Sequence, residues 1–293
     1  MQTRPTVSVI ILTLNAENEI KALLQRIIEQ SYPINDIVVV DSSSEDKTLD
    51  ICREFRDIRI IQIEKKDFDH GRTRDMALRT CNSDIVVFLT QDAYPINCDL
   101  IENLIRPFSD IAVAVATARQ IPKNNAWPME KLIREFNYPG VSSIKSKEDI
   151  NRLGIKAFFS SDVCAAYSRE IYEMLGGFEY PLKTNEDMFY AAKAIAHGYK
   201  TAYVADAIVA HSHNFSLKAQ YKRNYLQGYE IEKHRNLLGN VKQEKEGLKL
   251  VKYVSTQLLK RGRMISFIHF GLDCFARYIG SKHGKKAFNR STR

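Results

Sequence analysis

The stretch "SDIVVFLTQDAYP", residues 83–95, joins a short apolar run to polar residues within a few positions. The apolar run at 85–89 is followed by Thr90 and Gln91 and then by a single carboxylate, Asp92. Apolar runs of this length, bounded by polar residues, are typical of strands that are buried on both faces of a sheet. The stretch therefore predicts a buried strand that ends beside an acidic residue.

Similar apolar runs alternate with helical patterns on both sides of this stretch. Further strands are predicted at 7–13, 36–41, 58–64 and 111–118. The helix "NEIKALLQRIIEQSYP" ends before Pro33 and has an apolar face made of Ile20, Leu23, Leu24, Ile27 and Ile28. A second helix, "EDKTLDICREF", turns Leu49, Ile51, Cys52 and Phe55 inward, and others lie around 72–80 and 98–106. This alternation predicts an α/β protein with a mainly parallel sheet flanked by helices, which binds ligands at the carboxyl ends of its strands.

The second half of the chain has a less regular pattern. An irregular region at 120–157 precedes a predicted strand at 157–168, a helix at 185–199 and a strand pair at 201–213. We expect one α/β domain over residues 1–215 and a C-terminal helical extension over residues 216–293.

The composition is that of a soluble globular protein, with 293 residues, 44% of them hydrophobic and 27% charged. The apolar stretch near the N-terminus is too short for a signal peptide or a membrane span, so a cytoplasmic protein is expected. Five scattered cysteines without a C-x-x-C pattern favour reduced, mostly buried thiols over a disulfide framework or a zinc site.

The basic excess of the chain lies in its C-terminal part. Residues 241–293 contain 13 Lys and Arg against 3 Asp and Glu, whereas the rest of the chain has 30 against 32. The segment "MISFIHFGLDCFARYIGSKHGKK" mixes these cations with aliphatic and aromatic residues. A basic amphipathic segment suits an anionic membrane surface or an acidic partner, but it also suits a helix that packs on the body with a solvated basic face.

The polar residues after the early strands exclude two common nucleotide-binding folds. The first strand–helix turn contains no glycine, so the G-x-G-x-x-G cradle of a dinucleotide-binding oxidoreductase is absent. The G-x-x-x-x-G-K-[ST] loop of P-loop enzymes is missing as well.

The motifs in this chain resemble those of the family 2 glycosyltransferases of GT-A fold. "VSVIILTLNAENEI" and "VVVDSSSEDKT" are similar to the nucleotide-binding segments of that family. "FDHGRTRDMAL", "FLTQDAYP", "ARQIP", "FNYP" and "GGFEYPLKTNEDMFYAAKAIAHGYKTAYVADAIVAHSH" resemble bacterial rhamnosyltransferases, and together the matches cover residues 5–215. The resemblance implies an inverting, metal-dependent enzyme of cell-surface polysaccharide synthesis. It further implies a dTDP-L-rhamnose donor and a glycan or lipid-linked glycan acceptor.

The resemblance also implies a divalent cation, Mg²⁺ or Mn²⁺. Asp92 matches the second aspartate of the family's D-x-D motif, which binds the metal, and Thr90 stands at the position of the first. His211 and His213 are two residues apart after a predicted strand, so both face one side and are candidate metal ligands. Asp92 as a cap of the turn before Pro95, and a purely structural histidine pair, are the alternatives.

The nucleotide-sugar site implied by the resemblance includes Asp41, whose carboxylate can accept hydrogen bonds from a base or a ribose. Its other candidate members are Thr13, Leu14, Asn15, Glu17, Gly71, Arg74, Thr90 and Gln91. Asp41 is alternatively a helix N-cap, and Glu17 a charge in the first turn of a helix. Arg74 suits a diphosphate but, with Arg72, also suits a solvated helix face.

The "ED" pair Glu186 and Asp187 supplies the catalytic residues that the resemblance implies, with Asp187 as the base for the acceptor hydroxyl. Asp187 is predicted in the first turn of a helix, where the dipole favours the ionised form. Alternatively, Thr184 and Asp187 form a capping box. The candidate sugar or acceptor pocket comprises Ser161, Asp162 and Trp127, and Trp127 suits a core anchor equally well.

Two other functions fit parts of the sequence. Within the same class, the donor would be a UDP-sugar. The basic tail alone would permit a non-catalytic membrane-binding or nucleic-acid-binding protein. For the transferase we expect no nucleic-acid partner.

Overall fold

The computed structural model describes residues 4–239, 241 and 244–291, in which the strands form one sheet. The strands are β1 (Val7–Thr13), β2 (Asp36–Asp41), β3 (Ile58–Gln62), β4 (Ile85–Thr90), β5 (Tyr94–Pro95), β6 (Val113–Ile121), β7 (Ser143–Lys145), β8 (Cys164–Ser168) and β9 (Lys200–Ala210). The helices are α1 (Ile20–Ile28), α2 (Thr48–Arg53), α3 (His70–Arg79), α4 (Leu100–Ile105), α5 (Pro128–Asn137), α6 (Ile150–Leu153), α7 (Arg169–Met174), α8 (Glu186–Ala196), α9 (Leu217–Lys233), α10 (Arg235–Leu238), α11 (Glu244–Lys260) and α12 (Met264–Ser291). The outer limits of the two predicted domains, residues 1 and 293, lie outside the described residues.

The first half of the sheet is parallel, as predicted. Its strand order is β3-β2-β1-β4, and every pair in it runs parallel. In register, Thr13 lies beside Asp41, and Leu12 lies beside Thr90. The carboxyl ends of these strands therefore meet at one edge of the sheet.

The second half makes the sheet mixed. β8 is antiparallel to both β4 and β6, and β6 is parallel to β9. β5 and β7 each pair antiparallel with β9. The strand predicted over 157–168 begins only at Cys164, because the 3-10 turns at Gly154–Phe158 extend into its predicted start.

The strand pair predicted at 201–213 is wrong, since the structure has one long strand there. β9 stays paired with β6 but shifts register, so that Ala118 lies beside Val204 and Arg119 beside Ile208. The intervening residues "ADA" form a bulge instead of a reverse turn, because the strand stays paired with β6 on both sides of them. The strand then continues to Ala210, next to His211.

Helices cover a hydrophobic cluster on each face of the sheet. Leu23 of α1 and Leu104 of α4 pack on one face, and Leu78 of α3 and Tyr190 of α8 pack on the other. The prediction that Ile28 faces inward is wrong: its side chain is 54% exposed, because it lies at the edge of the α1 apolar stripe in the last turn.

The cysteines are free thiols, as predicted. Cys52, Cys81 and Cys164 are buried, whereas Cys98 is exposed and Cys274 is half-buried. Burial raises the pKa of the Cys52 thiol to about 11, so this thiol stays protonated at neutral pH.

The C-terminal helices pack on the rest of the chain. Gly280 of α12 lies so close to α9 that a Cβ there would come within 2.5 Å of the Tyr221 carbonyl oxygen. Val254 and Leu258 of α11 and Phe270 of α12 form one buried cluster with α5. The C-terminal helices therefore pack on the body, as the packed-helix alternative predicts, while binding to an anionic membrane surface stays a prediction. Among the described helices, none combines the length and the apolar character that crossing a bilayer requires.

Candidate active site

Asp92, His211 and His213 form a cluster at the carboxyl edge of the sheet. The Nε2 atoms of His211 and His213 lie 3.3 and 3.2 Å from the same oxygen, Oδ2 of Asp92. The possible ligand atoms of all three residues lie within 4.8 Å of one another. The fold creates this cluster because β5, just after Asp92, pairs with the end of β9, where Tyr94 lies beside Ala210.

The protonation states favoured for Asp92, His211 and His213 are the ones in which these side chains can bind a metal. Burial acts to raise the pKa of Asp92, but the hydrogen bond from His211 and the charges of both histidines outweigh it and hold this pKa well below its usual range. Burial lowers the pKa of His211, and burial together with His211 lowers the pKa of His213 to about 4. A carboxylate beside two neutral imidazoles is a donor set that suits a divalent transition metal, because the ligand form of each group is the stable one. The residues thus fit a divalent cation.

A second layer of side chains holds His211 in place. Its Nδ1 lies 3.0 Å from Oε1 of Gln120. In the protonated ring Nδ1 donates to this oxygen and Nε2 donates to Asp92, whereas in the neutral ring a proton kept on Nδ1 leaves the Nε2 lone pair free for a cation. Arg134 donates to the same Gln120 oxygen, and Glu130 in turn accepts from Arg134 at 2.7 Å. Sequence reasoning missed Gln120 and Arg134 as site residues, although Gln120 lies within the quoted "ARQIP" segment.

Gln120 also connects the histidines with the candidate acceptor pocket. Its Nε2 donates to Oγ of Ser161 at 2.9 Å, and Asp162 is the next residue. The backbone N–H of Asp162 donates to Oδ2 of Asp187 at 3.2 Å. A short chain of contacts therefore joins the cluster of Asp92, His211 and His213 to Asp187, the predicted catalytic base.

Asp187 is half-buried beside two buried carboxylates, Asp162 and Glu186, which both contact one arginine. Nε of Arg74 lies 3.2 Å from Asp162, and its NH1 lies 3.0 Å from Glu186. Arg74 is only 3% exposed, so the alternative of a solvated helix face is wrong for Arg74, while Arg72 is exposed. Burial acts to lower the pKa of Arg74, but Asp162 and Glu186 outweigh it and raise this pKa, so the guanidinium stays charged.

Glu186 and Asp187 begin α8 directly after a residue in the left-handed conformation. Asn185, which precedes α8, has φ +68°, a left-handed conformation that asparagine tolerates. Its turn is not a capping box, because no side-chain hydrogen bond caps the helix. Oδ1 of Asp187 accepts instead from the backbone of Met188 at 2.7 Å.

The expectation that the helix dipole keeps Asp187 readily ionised is contradicted. Burial, Glu186 and Asp162 raise the pKa of Asp187 well above its usual range, although two backbone N–H groups oppose this shift. Burial and Glu186 also raise the pKa of Asp162. Removal from water and like charge outweigh the dipole here, because three carboxylates face only one arginine.

The predicted nucleotide residues after β1 and β2 lie together. Asp41 is fully buried, and its carboxylate accepts from Thr13 Oγ1 at 3.0 Å and from the backbone and hydroxyl of Ser44. Asp41 is not an N-cap, since Lys47 occupies that position in α2. Glu17 is not in the first turn of α1, which begins at Ile20, and it accepts from the Lys47 backbone.

Two further predicted residues bind neighbouring loops to each other. Gln91 exchanges two hydrogen bonds with the backbone of Leu14, at 2.8 and 3.2 Å. Asn15 accepts from the Glu45 backbone at 2.9 Å. Thr90 ends β4 at the same edge, so these loops form one continuous surface beside Asp92.

Gly71 and Trp127 each pack against another part of the chain. A Cβ on Gly71 would lie 2.6 Å from the Glu179 carbonyl oxygen, so this glycine permits a close backbone approach. The Trp127 ring packs against His269 of α12 at 4.8 Å, and its backbone N–H donates to Asn214. Trp127 therefore acts as an anchor between α5 and the C-terminal helices, which is the alternative considered above.

Comparison with known proteins identifies the family. A sequence profile described as "Glycosyl transferase family 2" matches residues 8–176, which is more than half of the chain. The chain belongs to this family. The predicted enzyme class is therefore confirmed, and the non-catalytic alternative is wrong.

Two curated relatives of this glycosyltransferase match almost its whole length. It is 37% identical to the O-antigen chain rhamnosyltransferase RfbN of Salmonella typhimurium over 286 residues, which cover 95% of this chain and 89% of the relative. It is 38% identical to the O-antigen chain rhamnosyltransferase WbaN of Salmonella anatum over 88% of this chain and 82% of the relative. The predicted resemblance to bacterial rhamnosyltransferases is confirmed.

Solved structures confirm the GT-A fold. The mannosyltransferase PcManGT from Pyrobaculum calidifontis, solved with GDP-Man and Mn²⁺, superposes with a TM-score of 0.68 over 97% of this chain and 88% of its own, at 18% identity. The structure of residues 1–349 of the Staphylococcus aureus protein TarS, solved with UDP-GlcNAc, gives a TM-score of 0.56 at 19% identity over 96% of this chain and 92% of that 349-residue chain. At these identities the likeness concerns the fold alone.

Proposed function

We propose that this enzyme transfers L-rhamnose from dTDP-L-rhamnose to a glycan or lipid-linked glycan, with inversion at the anomeric carbon, in cell-surface polysaccharide synthesis. The two relatives named as O-antigen chain rhamnosyltransferases support this donor and acceptor class. The structural observation that supports the proposal is the contact chain from His211 through Gln120 and Ser161 to the carboxylates, because a transferase would need a cation near the leaving diphosphate and a base near the acceptor. With such an acceptor, the enzyme would act in the cytoplasm at the surface of the membrane.

Asp92, His211 and His213 would hold the divalent cation. When bound, the cation supplies positive charge against the nucleoside diphosphate that leaves during transfer. Two imidazoles beside one carboxylate favour Mn²⁺ over Mg²⁺, which prefers oxygen ligands. Nζ of Lys123, 4.0 Å from Asp92, adds a further positive charge on this side.

The loops after β1, β2 and β4 would bind the nucleotide. Asp41 accepts hydrogen bonds from the backbone N–H and the hydroxyl of Ser44 and thereby fixes the loop after β2. The backbone and hydroxyl groups of this loop are then held in defined positions. Gln91 holds the Leu14 backbone next to that loop. This surface lies at the carboxyl edge of the sheet, where α/β proteins bind nucleotides.

Asp187 would take the proton of the acceptor hydroxyl. A base with a raised pKa holds the transferred proton strongly. The Arg74 guanidinium, next to Asp162 and Glu186, would offset the negative charge of the cluster before the proton arrives. Asp162 would also position Asp187 through its backbone N–H.

A panel of nucleotide sugars tests the donor assignment. We expect dTDP-L-rhamnose to be hydrolysed fastest in the absence of acceptor. Thermal stability should rise with dTDP plus Mn²⁺, and EDTA should remove that gain. A strong preference for a UDP-hexose would establish the alternative donor class, and no thermal response to any nucleoside diphosphate with metal would contradict the proposed site.

A further inference from the structure

One face of α12 exposes a continuous row of large apolar side chains. Six of them, between 51% and 87% exposed, are Met264, Ile265, Ile268, Leu272, Phe275 and Tyr278, and we call them the apolar stripe. Their spacing places them on one side of the helix, over a length of about 21 Å at 1.5 Å per residue. Soluble monomers rarely expose a contiguous apolar surface of this size without a binding partner.

The opposite face of α12 is fixed to the protein. Phe270 lies in the buried cluster with α5 and α11, and Gly280 and Gly284 pack against the α9 backbone. The stripe is therefore part of a rigid surface, and its residues cannot turn inward without breaking these contacts.

Basic residues flank both ends of the stripe. Lys260, Arg261 and Arg263 are exposed just before it, and Lys282, Lys286 and Arg290 are exposed just after it; we call these the basic ends. The single acidic residue of α12, Asp273, is fully buried and accepts a hydrogen bond from Arg277 at 2.6 Å. The exposed face of α12 therefore presents positive and apolar side chains, and α12 itself contributes no carboxylate to this face.

The arrangement of the apolar stripe between two basic ends indicates which partner binds this face of α12. If two copies paired through their stripes, in parallel or antiparallel, the basic ends of one would meet those of the other, and like charges would oppose the contact. An anionic bilayer satisfies both features, because apolar side chains enter the acyl boundary while lysine and arginine contact lipid phosphates.

We propose that α12 docks in the plane of an anionic membrane through the apolar stripe and the basic ends. Docking through this face would hold the active site close to the lipid surface, because His269 of α12 packs on Trp127, which bonds to Asn214 beside His213. A lipid-linked acceptor would then meet the enzyme at the membrane, a consequence that rests on the proposed function. The docking itself depends on neither the donor nor the acceptor.

Vesicle flotation of the full chain tests the docking. We expect binding to vesicles of phosphatidylglycerol and phosphatidylcholine but much weaker binding to phosphatidylcholine alone, with the difference reduced at high salt because charges are screened beyond ~8 Å at 0.15 M. Ile268→Glu with Phe275→Glu should lower vesicle affinity by about tenfold or more, since both side chains must enter the acyl boundary. The matched control is Ile111→Glu with Val141→Glu, which changes two exposed apolar residues outside α12 and should leave binding unchanged.

Charge reversal tests the basic ends. Lys282→Glu, Lys286→Glu and Arg290→Glu together should lower affinity for the anionic vesicles by about 10²-fold, at about fivefold for each basic residue near the surface. The control with the same change in net charge reverses three exposed cations elsewhere, Arg26, Arg56 and Lys66.

Three results would overturn the proposal: equal losses in variant and control, binding that ignores lipid charge and salt, or a concentration-dependent dimer that the stripe variant abolishes. Hydrolysis of dTDP-L-rhamnose in solution by the stripe variant should match the unaltered enzyme, which shows that the variant is folded. If neither protein hydrolyses any nucleotide sugar, the proposed function fails, while vesicle binding and melting temperature still decide the docking.

Discussion

Replacing Asp187 by asparagine separates the proposed base from a purely structural residue. Asn keeps the size of the side chain and can still accept from the Met188 backbone, but it cannot take a proton. A general base contributes about 10²- to 10⁴-fold. We therefore expect kcat to fall by at least about 10²-fold, equivalent to about 2.7 kcal/mol of activation free energy, while dTDP binding stays unchanged.

The same change should not cost stability at neutral pH. Burial, Glu186 and Asp162 raise the pKa of Asp187 in the folded protein, so folding favours its protonated form. The stability that this group contributes is fully present below its unfolded pKa of about 3.9 and is lost as the pH rises through the folded pKa. Relative to the unaltered enzyme, Asp187→Asn should gain stability over that range, by about 1.4 kcal/mol for each pKa unit between the two states, less the lost hydrogen bond from Asp162.

The assays are rhamnosyl transfer for kcat, calorimetry for dTDP binding, and urea unfolding at pH 5 and pH 8. In the unaltered enzyme, kcat/KM should rise with pH towards the raised pKa of Asp187. Asp273→Asn is the matched control, because it changes a buried carboxylate that is bonded to Arg277 in α12, and it should lose stability but keep kcat. Near-normal turnover by a folded Asp187→Asn protein would remove Asp187 from the mechanism and point to Glu186 or Asp162.

Other changes test the remaining parts of the site and the fold. His213→Ala should weaken Mn²⁺ binding by more than about tenfold in electron paramagnetic resonance titrations, and unchanged affinity would exclude it as a ligand. Gln120→Ala should weaken Mn²⁺ binding by about 10- to 100-fold while leaving dTDP binding without metal unaltered. Gly284→Leu should lower the free energy of unfolding by about 1–3 kcal/mol, because its Cβ would overlap the Tyr225 carbonyl oxygen of α9. Deleting residues 241–293 should yield insoluble protein, since α11 and α12 bury the apolar face of α5, and a soluble, active truncation would contradict that packing.

The sequence predicts the parallel half of the sheet well because its strands are buried on both faces. β2 and β4 each contain an uninterrupted apolar run, and the run in β1 is broken only by Ser8; such runs have few other stable environments in a soluble protein. The second half depends on contacts between distant segments. The register shift at Ala118 and Arg119 lets β9 continue where local patterning predicts a turn, because pairing with β6 outweighs local preference.

The same distinction applies to the site. Asp92 is predictable because it directly follows a strong strand, and His211 and His213 because extended backbone repeats every two residues. Gln120 is not, because its role arises only when β6 and β9 pair and bring it to His211, 91 residues away in sequence. Local patterns identify residues at strand ends, but they do not reveal which side chains form the layer behind them.

The contacts of Arg74 with the carboxylate cluster argue against the role that the sequence suggests for this residue. The sequence suggests a diphosphate ligand, yet in the structure its guanidinium faces Asp162 and Glu186 and is almost fully buried. An arginine that already balances two carboxylates has little charge left for a third anion. In the proposed mechanism, the charge that offsets the leaving diphosphate would therefore come from Lys123 and from a cation at Asp92. The proposed base would then keep its own counter-ion while the leaving group is stabilised by separate charges.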